Sequence, residues 1–204
     1  MHTARKTRTV RLAELQPTQR AVGYGEVRDK RSKWRALSAE VKRDFLASHP
    51  FPAIYGPGAK YFIVDGHHLA FALLQEGVDE VSICQIEDLS DLDASRFFLA
   101  LQERGLICPS GAPQTLSELP RALQDLADDP FRTLTASLRR DCGCPKDQAP
   151  FAEFRWADFL RAHLRLDSQR SEPALAIAGA KRLIRDAWCK DPCAKCRCRE
   201  EAVS

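Results

Sequence analysis

The sequence predicts an α+β protein in which a small mixed sheet with helices comes first and a helical segment follows. Two β-prone runs, residues 51–55 and 60–64, flank the turn Gly56-Pro57-Gly58 and indicate a hairpin. The second run ends in a polar glycine turn, after which apolar residues recur with helical spacing until Gly77. After residue 90, most apolar residues have helical spacing and prolines punctuate the chain.

The segments before the hairpin are predicted from alternation, glycines and capping. Polar and apolar side chains alternate over residues 9–12, which is typical of a half-buried strand. Gly23 and Gly25 flank a stretch that we expect to be flexible and to end at Glu26. A helix is predicted over residues 38–48, with Ser38 as N-cap and an apolar stripe of Val41, Phe45 and Leu46.

The segments after the hairpin are predicted to be a strand and then helices. Residues 81–84 are β-prone, whereas residues 119–126, 131–138 and 151–166 have helical spacing of apolar side chains. Pro130 suits the first position of a helix. In the last helix we expect Phe154, Trp156 and Phe159 to be buried.

These patterns divide the chain into three segments. Residues 1–90 form the predicted sheet domain, residues 91–170 a helical segment packed on it, and residues 171–204 a further helix and a cysteine-rich tail. At 204 residues, with 44% hydrophobic and 29% charged residues, the chain can bury a core, which argues against disorder throughout.

The distribution of charge and the length of the apolar runs indicate which kinds of partner the chain could have. The net charge of +3 is mild, but Lys and Arg are concentrated in residues 1–43, where a basic surface would attract the phosphates of a nucleotide or a nucleic acid. A solvated surface is the simpler explanation for any one of these cations. No apolar run approaches a membrane span, and no secretory signal is evident, so we expect a cytoplasmic protein with mostly reduced cysteines. Cys84 and Cys108 are expected to be ordinary buried thiols.

The sharpest chemical signal is Asp65-Gly66-His67-His68 at the predicted strand-to-helix junction. Gly66 permits an unusual dihedral or a close backbone approach, and Asp65 suits Mg²⁺ or an orienting contact with a histidine. His67 and His68 occupy the first helical turn, where free amides, imidazole donors and the helix dipole favour a phosphate. The alternative is structural, with one histidine as a cap and the other as a core contact.

A second cluster lies near the C-terminus. Four cysteines fall within ten residues, and four thiolates can coordinate Zn²⁺. Their spacing fits no standard zinc finger, so a reactive tail without metal stays open. The four are Cys189, Cys193, Cys196 and Cys198.

The motifs in order resemble those of the ParB/sulfiredoxin superfamily, and over residues 9 to about 165 those of the ParB-like nuclease family within it. The matching stretches are Leu15 to Gln19, Val22-Gly23, Glu26-Val27, Gly56-Pro57-Gly58, the Asp65 motif, Asp128 to Arg132 and Phe151 to Phe159. The free-serine kinases of the superfamily carry Asp-Gly-His-His-Arg, the motif nearest to this one. The resemblance implies a bacterial protein with a ParB/sulfiredoxin-like fold and a nucleotide site.

Three departures from the superfamily pattern bear on function. Leu69 stands where the better-known branches have arginine, so one phosphate contact is either missing or supplied elsewhere, with Arg132 and Arg155 as the candidates. His67 replaces the sulfiredoxin cysteine, which argues against sulfinic acid reduction. No stretch of residues 91–170 has the clear pattern of the helix-turn-helix that partitioning proteins use on DNA.

The resemblance therefore implies phosphotransfer from ATP or ADP, with Mg²⁺, to a small hydroxylated metabolite such as a free amino acid. By analogy with the serine kinases Glu26 would be the base, while Asp65, Gly66, His67 and His68 would hold the phosphates. A surface carboxylate that balances Arg28 and Lys30 is the alternative reading of Glu26. The functional alternatives are a nucleotide-dependent switch, a DNA-associated ParB-like protein, a metal-dependent nuclease, or a motif that binds nothing.

Overall fold

The computed structural model describes residues 6–107, 113–141, 151–164 and 178–183. Contacts between Cα atoms divide the chain into two compact units, Met1–Asp129 (unit 1) and Pro130–Ser204 (unit 2). Within the described residues, no helix combines the length and the apolar character that crossing a membrane requires.

Unit 1 contains all the strands of the described residues. They are β1 (Lys6–Arg11), β2 (Gln16–Pro17), β3 (Ala21–Val22), β4 (Phe51–Gly56), β5 (Lys60–Ile63), β6 (Glu80–Asp88) and β7 (Ala127–Asp128). Five of them form one sheet in the order β1-β6-β4-β5-β2, and β3 pairs with β7 separately. Both β4–β6 and β2–β5 are parallel, whereas β1–β6 and β4–β5 are antiparallel. The predicted mixed sheet, and with it the α+β class, is confirmed.

Helices of more than two turns occur in both units. They are α1 (Tyr24–Arg35), α2 (Ala39–Ser48), α3 (His67–Gln75) and α4 (Ala94–Glu103) in unit 1, and α5 (Pro130–Asp141) and α6 (Ala152–His163) in unit 2. Residues 178–183 are also helical. Short 3-10 turns occupy Leu12–Glu14, Leu116–Glu118 and Leu123–Asp125.

Local signals placed several of these elements correctly. Ser38 caps α2 by accepting a hydrogen bond from the amide of Val41. The predicted hairpin is β4–β5, and α5 begins at Pro130. The strand predicted at residues 81–84 is the longer β6, whose partners on both sides, β1 and β4, extend its hydrogen bonding.

Three local expectations are wrong. The stretch from Gly23 to Glu26 is the start of α1, because Val27 and Trp34, two turns apart, are buried and hold it as a helix. Residues 119–126 form turns and a connection to β7 instead of a helix. In α6 the buried residues are Ala152, Ala157 and Leu160, whereas Phe154, Trp156 and Phe159 are only partly buried.

The central strands bury side chains on both faces, since successive residues of a strand point in opposite directions. Ala53 and Ile63 face a core that includes Phe71 and Leu73 of α3. Ile54 and Phe62, at the neighbouring register position, face a second core with Phe97, Phe98 and Leu101 of α4. The second core explains why unit 1 continues to Asp129, whereas the sequence patterns suggested a boundary near residue 90.

Unit 2 has a small core of its own. Leu134 and Leu138 of α5 pack with Leu160 of α6 and with Ala180 of the short helix 178–183. Outside the described residues lie Cys108, the cysteine-rich tail and most of the further helix predicted within residues 171–204. Cys84 of β6 is half-buried, whereas the sequence predicts a buried thiol.

Candidate functional site

The strand-to-helix junction after β5 has the backbone that its sequence predicts. Gly66 has φ +81°, in the left-handed region, and α3 begins at the next residue. A Cβ at Gly66 would lie 2.9 Å from Cδ1 of the buried Phe51 ring, so glycine is required for space as well as for the dihedral. The exposed Asp65 accepts a hydrogen bond from the Gly66 amide through Oδ1 at 2.6 Å.

The start of α3 has the polarity that a phosphate group needs. The first amide of α3 to bond back along the helix is that of Ala70, which donates to the Gly66 carbonyl at 2.9 Å. The amides of residues 67–69 precede this bond and carry the partial positive charge of the helix dipole. An anion beside the junction would therefore be stabilised by the backbone itself.

His67 points into the protein. The residue is 5% exposed, and its Nε2 accepts a hydrogen bond from the backbone amide of Thr18 at 3.1 Å. The Thr18 hydroxyl donates to the Ile63 carbonyl at 3.0 Å, so the same threonine ties β5 to the loop after β2. Because Nε2 accepts, the neutral ring carries its proton on Nδ1.

His68 holds the far end of the same loop. Its Nε2 lies 3.0 Å from the amide nitrogen of Gly23 and 3.1 Å from Oε2 of Glu26. The two contacts require opposite protonation states: an unprotonated Nε2 accepts from Gly23, and a protonated Nε2 donates to Glu26. Glu26 and His68 are thus placed to pass a proton between them, with side chains only 13% and 12% exposed.

Together the two imidazoles form a clamp on residues 18–23, which we call the histidine clamp (His67 with Thr18, His68 with Gly23). Sequence reasoning favoured both rings as phosphate donors, kept a cap and a core contact as the alternative, and did not identify Thr18 and Gly23 as their partners. The contacts join residues 49 and 45 positions apart, so no local pattern signals them. The roles predicted for His67 and His68 toward phosphate remain predictions.

Helices α1 and α3 lie side by side and run in the same direction. Glu26 of α1 meets His68 near both N-termini, and Arg31 and Arg35 of α1 meet Glu76 beyond the end of α3, at 2.6 and 2.7 Å. Hydrogen bonds from Arg35 and then Arg31 lower the pKa of Glu76 to about 2. This pairing helps to position the helix that carries Glu26.

Asp128 is a residue of the site region that the sequence linked only to a family motif. Its Oδ1 accepts from the amide of Tyr24, the first residue of α1, at 2.8 Å. The Tyr24 hydroxyl donates to the Leu126 carbonyl at 2.7 Å. Since the N-cap Gly23 has no side chain, Asp128 supplies the acceptor from more than a hundred residues away.

The other predicted site residues have different surroundings. Arg132 belongs to unit 2, where it is 6% exposed, stacks its guanidinium 3.8 Å from the Phe154 ring centroid and lies 4.0 Å from Glu153. Arg155 is exposed on α6. The predicted phosphate contact of Arg132 stays a prediction, as does the zinc site of the cysteine tail, which is outside the described residues.

The described residues contain no group of three His, Cys, Asp or Glu side chains placed to hold a metal ion. At the junction before α3, Asp65 offers a single exposed carboxylate. Mg²⁺ commonly takes one or two protein carboxylates and completes its shell with phosphate oxygens and water. Asp65 fits that mode of binding, in which the nucleotide brings most of the ligands.

Comparisons with known proteins identify the family of this chain. Residues 8–162 match the family model described as "Putative ParB-like nuclease". The crystal structure of protein Atu1540 from Agrobacterium tumefaciens is 35% identical, with a TM-score of 0.76, over 87% of this chain and 91% of that one. A C-terminally truncated chromosome-partitioning protein ParB from Caulobacter crescentus, complexed with CTP-gamma-S, is 16% identical with a TM-score of 0.32, over 88% of this chain and 99% of that one. Among curated proteins, none matches this chain.

Proposed function

Because the chain belongs to the ParB-like nuclease family described above, we propose that it binds a nucleotide through its phosphates at the start of α3. The start of α3 and the left-handed Gly66 support this proposal, since the helix dipole places partial positive charge at the junction and glycine adds no side-chain bulk there. Asp65 would hold Mg²⁺ beside the phosphates, where the ion neutralises charge on ATP or ADP.

The observation that carries the catalytic part of the proposal is the contact between Glu26 and His68. Their side chains lie 3.1 Å apart, and His68 is the second residue of α3. A small hydroxylated metabolite such as a free amino acid would place its hydroxyl near Glu26. The hydroxyl oxygen attacks the terminal phosphorus, the bond to the bridging oxygen breaks, and the nucleotide leaves with one phosphate fewer. Glu26 takes the hydroxyl proton, and His68 shares it.

The histidine clamp gives His67 a supporting part in this chemistry. By holding Thr18 it positions the loop that leads to α1, and therefore to Glu26. Its Nε2 is engaged with a backbone amide, so His67 orients the site, while the amides of α3 make the phosphate contacts.

The test uses calorimetry and turnover on the full chain. ATP, ADP, CTP and GTP are titrated with Mg²⁺, and phosphoryl transfer to free hydroxylated amino acids is then measured. Glu26→Gln should keep nucleotide binding and lose turnover by about 10²- to 10⁴-fold, the usual contribution of a general base. The matched control is Glu40→Gln, an exposed carboxylate of α2, which should change neither quantity. Absence of heat with every nucleotide would contradict the proposal.

A second candidate, association with DNA, is favoured by exposed cations on α1 and α2. Arg28, Lys33 and Arg43 are exposed there, and phosphate contacts from such residues weaken steeply with salt. A gel-shift series over increasing salt checks this candidate. Nicking of plasmid that requires a divalent ion would instead support the nuclease alternative.

A further inference from the structure

Unit 1 has a cavity of about 630 Å³ that is separate from the start of α3. It lies where the end of β1, the following turn, β2 and the β4–β5 turn meet, and we call it the β2 cavity. Lys60 and Tyr61 of β5 line it, whereas Asp65 to His68, beyond the other end of that strand, do not. Its volume falls within the range of small-molecule sites, about 300–1,000 Å³.

Five of the residues that line the β2 cavity are charged, and all five are exposed. Arg11, Lys60 and Arg121 contribute positive charge, and Glu14 and Glu80 contribute negative charge. These residues come from four separate parts of unit 1: the end of β1 and the turn after it, the start of β5, the start of β6 and the loop before β7. The fold thus collects them into one concave surface, which no stretch of sequence does.

None of these five side chains makes an ion pair or hydrogen bond with another residue in the part of the chain that the structure describes. Arg11 and Glu80 even occupy opposite register positions of the β1–β6 pair without forming a salt bridge. Elsewhere in unit 1, Arg31 and Arg35 share Glu76, and Arg104 pairs with Glu87. Charges of both signs that face one cavity without pairing leave their attraction available to a ligand.

We propose that the β2 cavity binds a small acidic metabolite that also carries an amino group, of the acidic amino acid class. Carboxylates of the ligand contact Arg11, Lys60 and Arg121, and its ammonium group contacts Glu14 or Glu80. The amide of Gln16, which also lines the cavity, supplies a neutral hydrogen-bonding partner. Three cations against two carboxylates favour a ligand with one net negative charge.

The experiment is calorimetry of the full chain at low ionic strength, where exposed charges are least screened. The probes are L-aspartate and succinate, which differ only by the amino group. Aspartate should bind, and more tightly than succinate. Lys60→Gln and Arg121→Gln should each weaken aspartate binding about tenfold, the loss of one charge-assisted contact. Lys33→Gln removes an exposed cation of α1 that does not line the cavity, and should leave binding unchanged.

Three results would overturn the proposal. They are no heat with aspartate, equal weakening by Lys33→Gln and by the cavity variants, or succinate binding as tightly as aspartate. Thermal unfolding of each variant checks that it is folded, which we expect because Lys60 and Arg121 are exposed. The proposal does not depend on the nucleotide site, so its failure leaves the proposed function standing.

Discussion

At the residue scale, the histidine clamp shows that adjacent histidines at the start of a helix can hold a neighbouring loop through backbone hydrogen bonds. An imidazole nitrogen that accepts a backbone hydrogen bond cannot donate to a phosphate from the same atom. Through Nε2, His67 contacts Thr18, and His68 contacts Gly23 and Glu26. The phosphate-binding groups of the proposed site are then mainly backbone amides.

The clamp at His67 predicts a stability effect. In His67→Phe the Thr18 amide, in a residue that is 2% exposed, loses its acceptor. Leaving one buried donor unsatisfied costs about 1–3 kcal/mol. Urea denaturation should show this loss of unfolding free energy, and hydrogen exchange should be faster at the Thr18 amide. An unchanged exchange rate at that amide would rule out the clamp as a stabilising contact.

Gly66 and Gly77 form a matched pair for separating strain from crowding. Their φ values are +81° and +74°, but a Cβ would meet Phe51 at 2.9 Å in the first and nothing within 4 Å in the second. Gly77→Ala should lose about 1–2 kcal/mol of unfolding free energy from the left-handed backbone alone. Gly66→Ala should lose more, because the buried ring must also shift. Equal losses of unfolding free energy in the two variants, measured by urea denaturation, would show that the Phe51 ring shifts at no cost.

At the element scale, α1 depends on distant partners. It begins after a glycine that cannot cap it, and Asp128 provides the cap instead. Val27 and Trp34 bury one side of α1, while Arg31 and Arg35 reach Glu76, just beyond the end of α3. Such anchoring explains how a segment with glycines at both sides of Tyr24 becomes regular helix.

The Glu76 pairing predicts a pH dependence of stability. Its pKa is lowered from the ordinary 4.5 to about 2, so the pairing stabilises the fold fully above about pH 4.5 and is lost as the pH falls toward 2. The wild-type protein should therefore exceed Glu76→Gln in unfolding free energy at neutral pH, with the difference shrinking over that interval. Urea denaturation from pH 7 to 2 measures it, and Glu40→Gln is the control. A difference that is constant over this range would contradict the pKa shift.

At the scale of the whole molecule, two cores on opposite faces of one sheet define unit 1. The face of Ile54 and Phe62 is covered by α4, beyond the boundary near residue 90 that the sequence patterns suggested. Each large apolar side chain that is fully buried stabilises by about 1.5–3 kcal/mol. Removal of α4 would expose the buried side chains of Ile54 and Phe62 to water and would therefore destabilise unit 1.

Two fragments test this division. Residues 1–129 should unfold in one cooperative urea transition, because they keep both cores. Residues 1–90 lack Phe97, Phe98 and Leu101 and should show no such transition. Trp34, the only tryptophan in either fragment and 8% exposed in the intact chain, reports the transition by fluorescence. Cooperative unfolding of the shorter fragment would place the domain boundary near residue 90 after all.

The sequence by itself determined the features that depend on neighbouring residues. The hairpin, the Ser38 cap, the glycine junction at Gly66 and the start of α5 at Pro130 follow from local dihedral and hydrogen-bonding preferences. The order of motifs also indicated the family, which the match over residues 8–162 confirms.

Only the tertiary structure decided which distant residues meet. The acceptors for Thr18 and Gly23, the cap of α1 by Asp128 and the charged wall of the β2 cavity all join positions far apart in the chain. The periodicity of apolar residues predicted a helix over residues 119–126, but the structure has a 3-10 turn there. The chain then enters β7, which pairs with the distant β3. Contacts of this kind form only when the fold closes, so side-chain roles that depend on them cannot be obtained from local preferences alone.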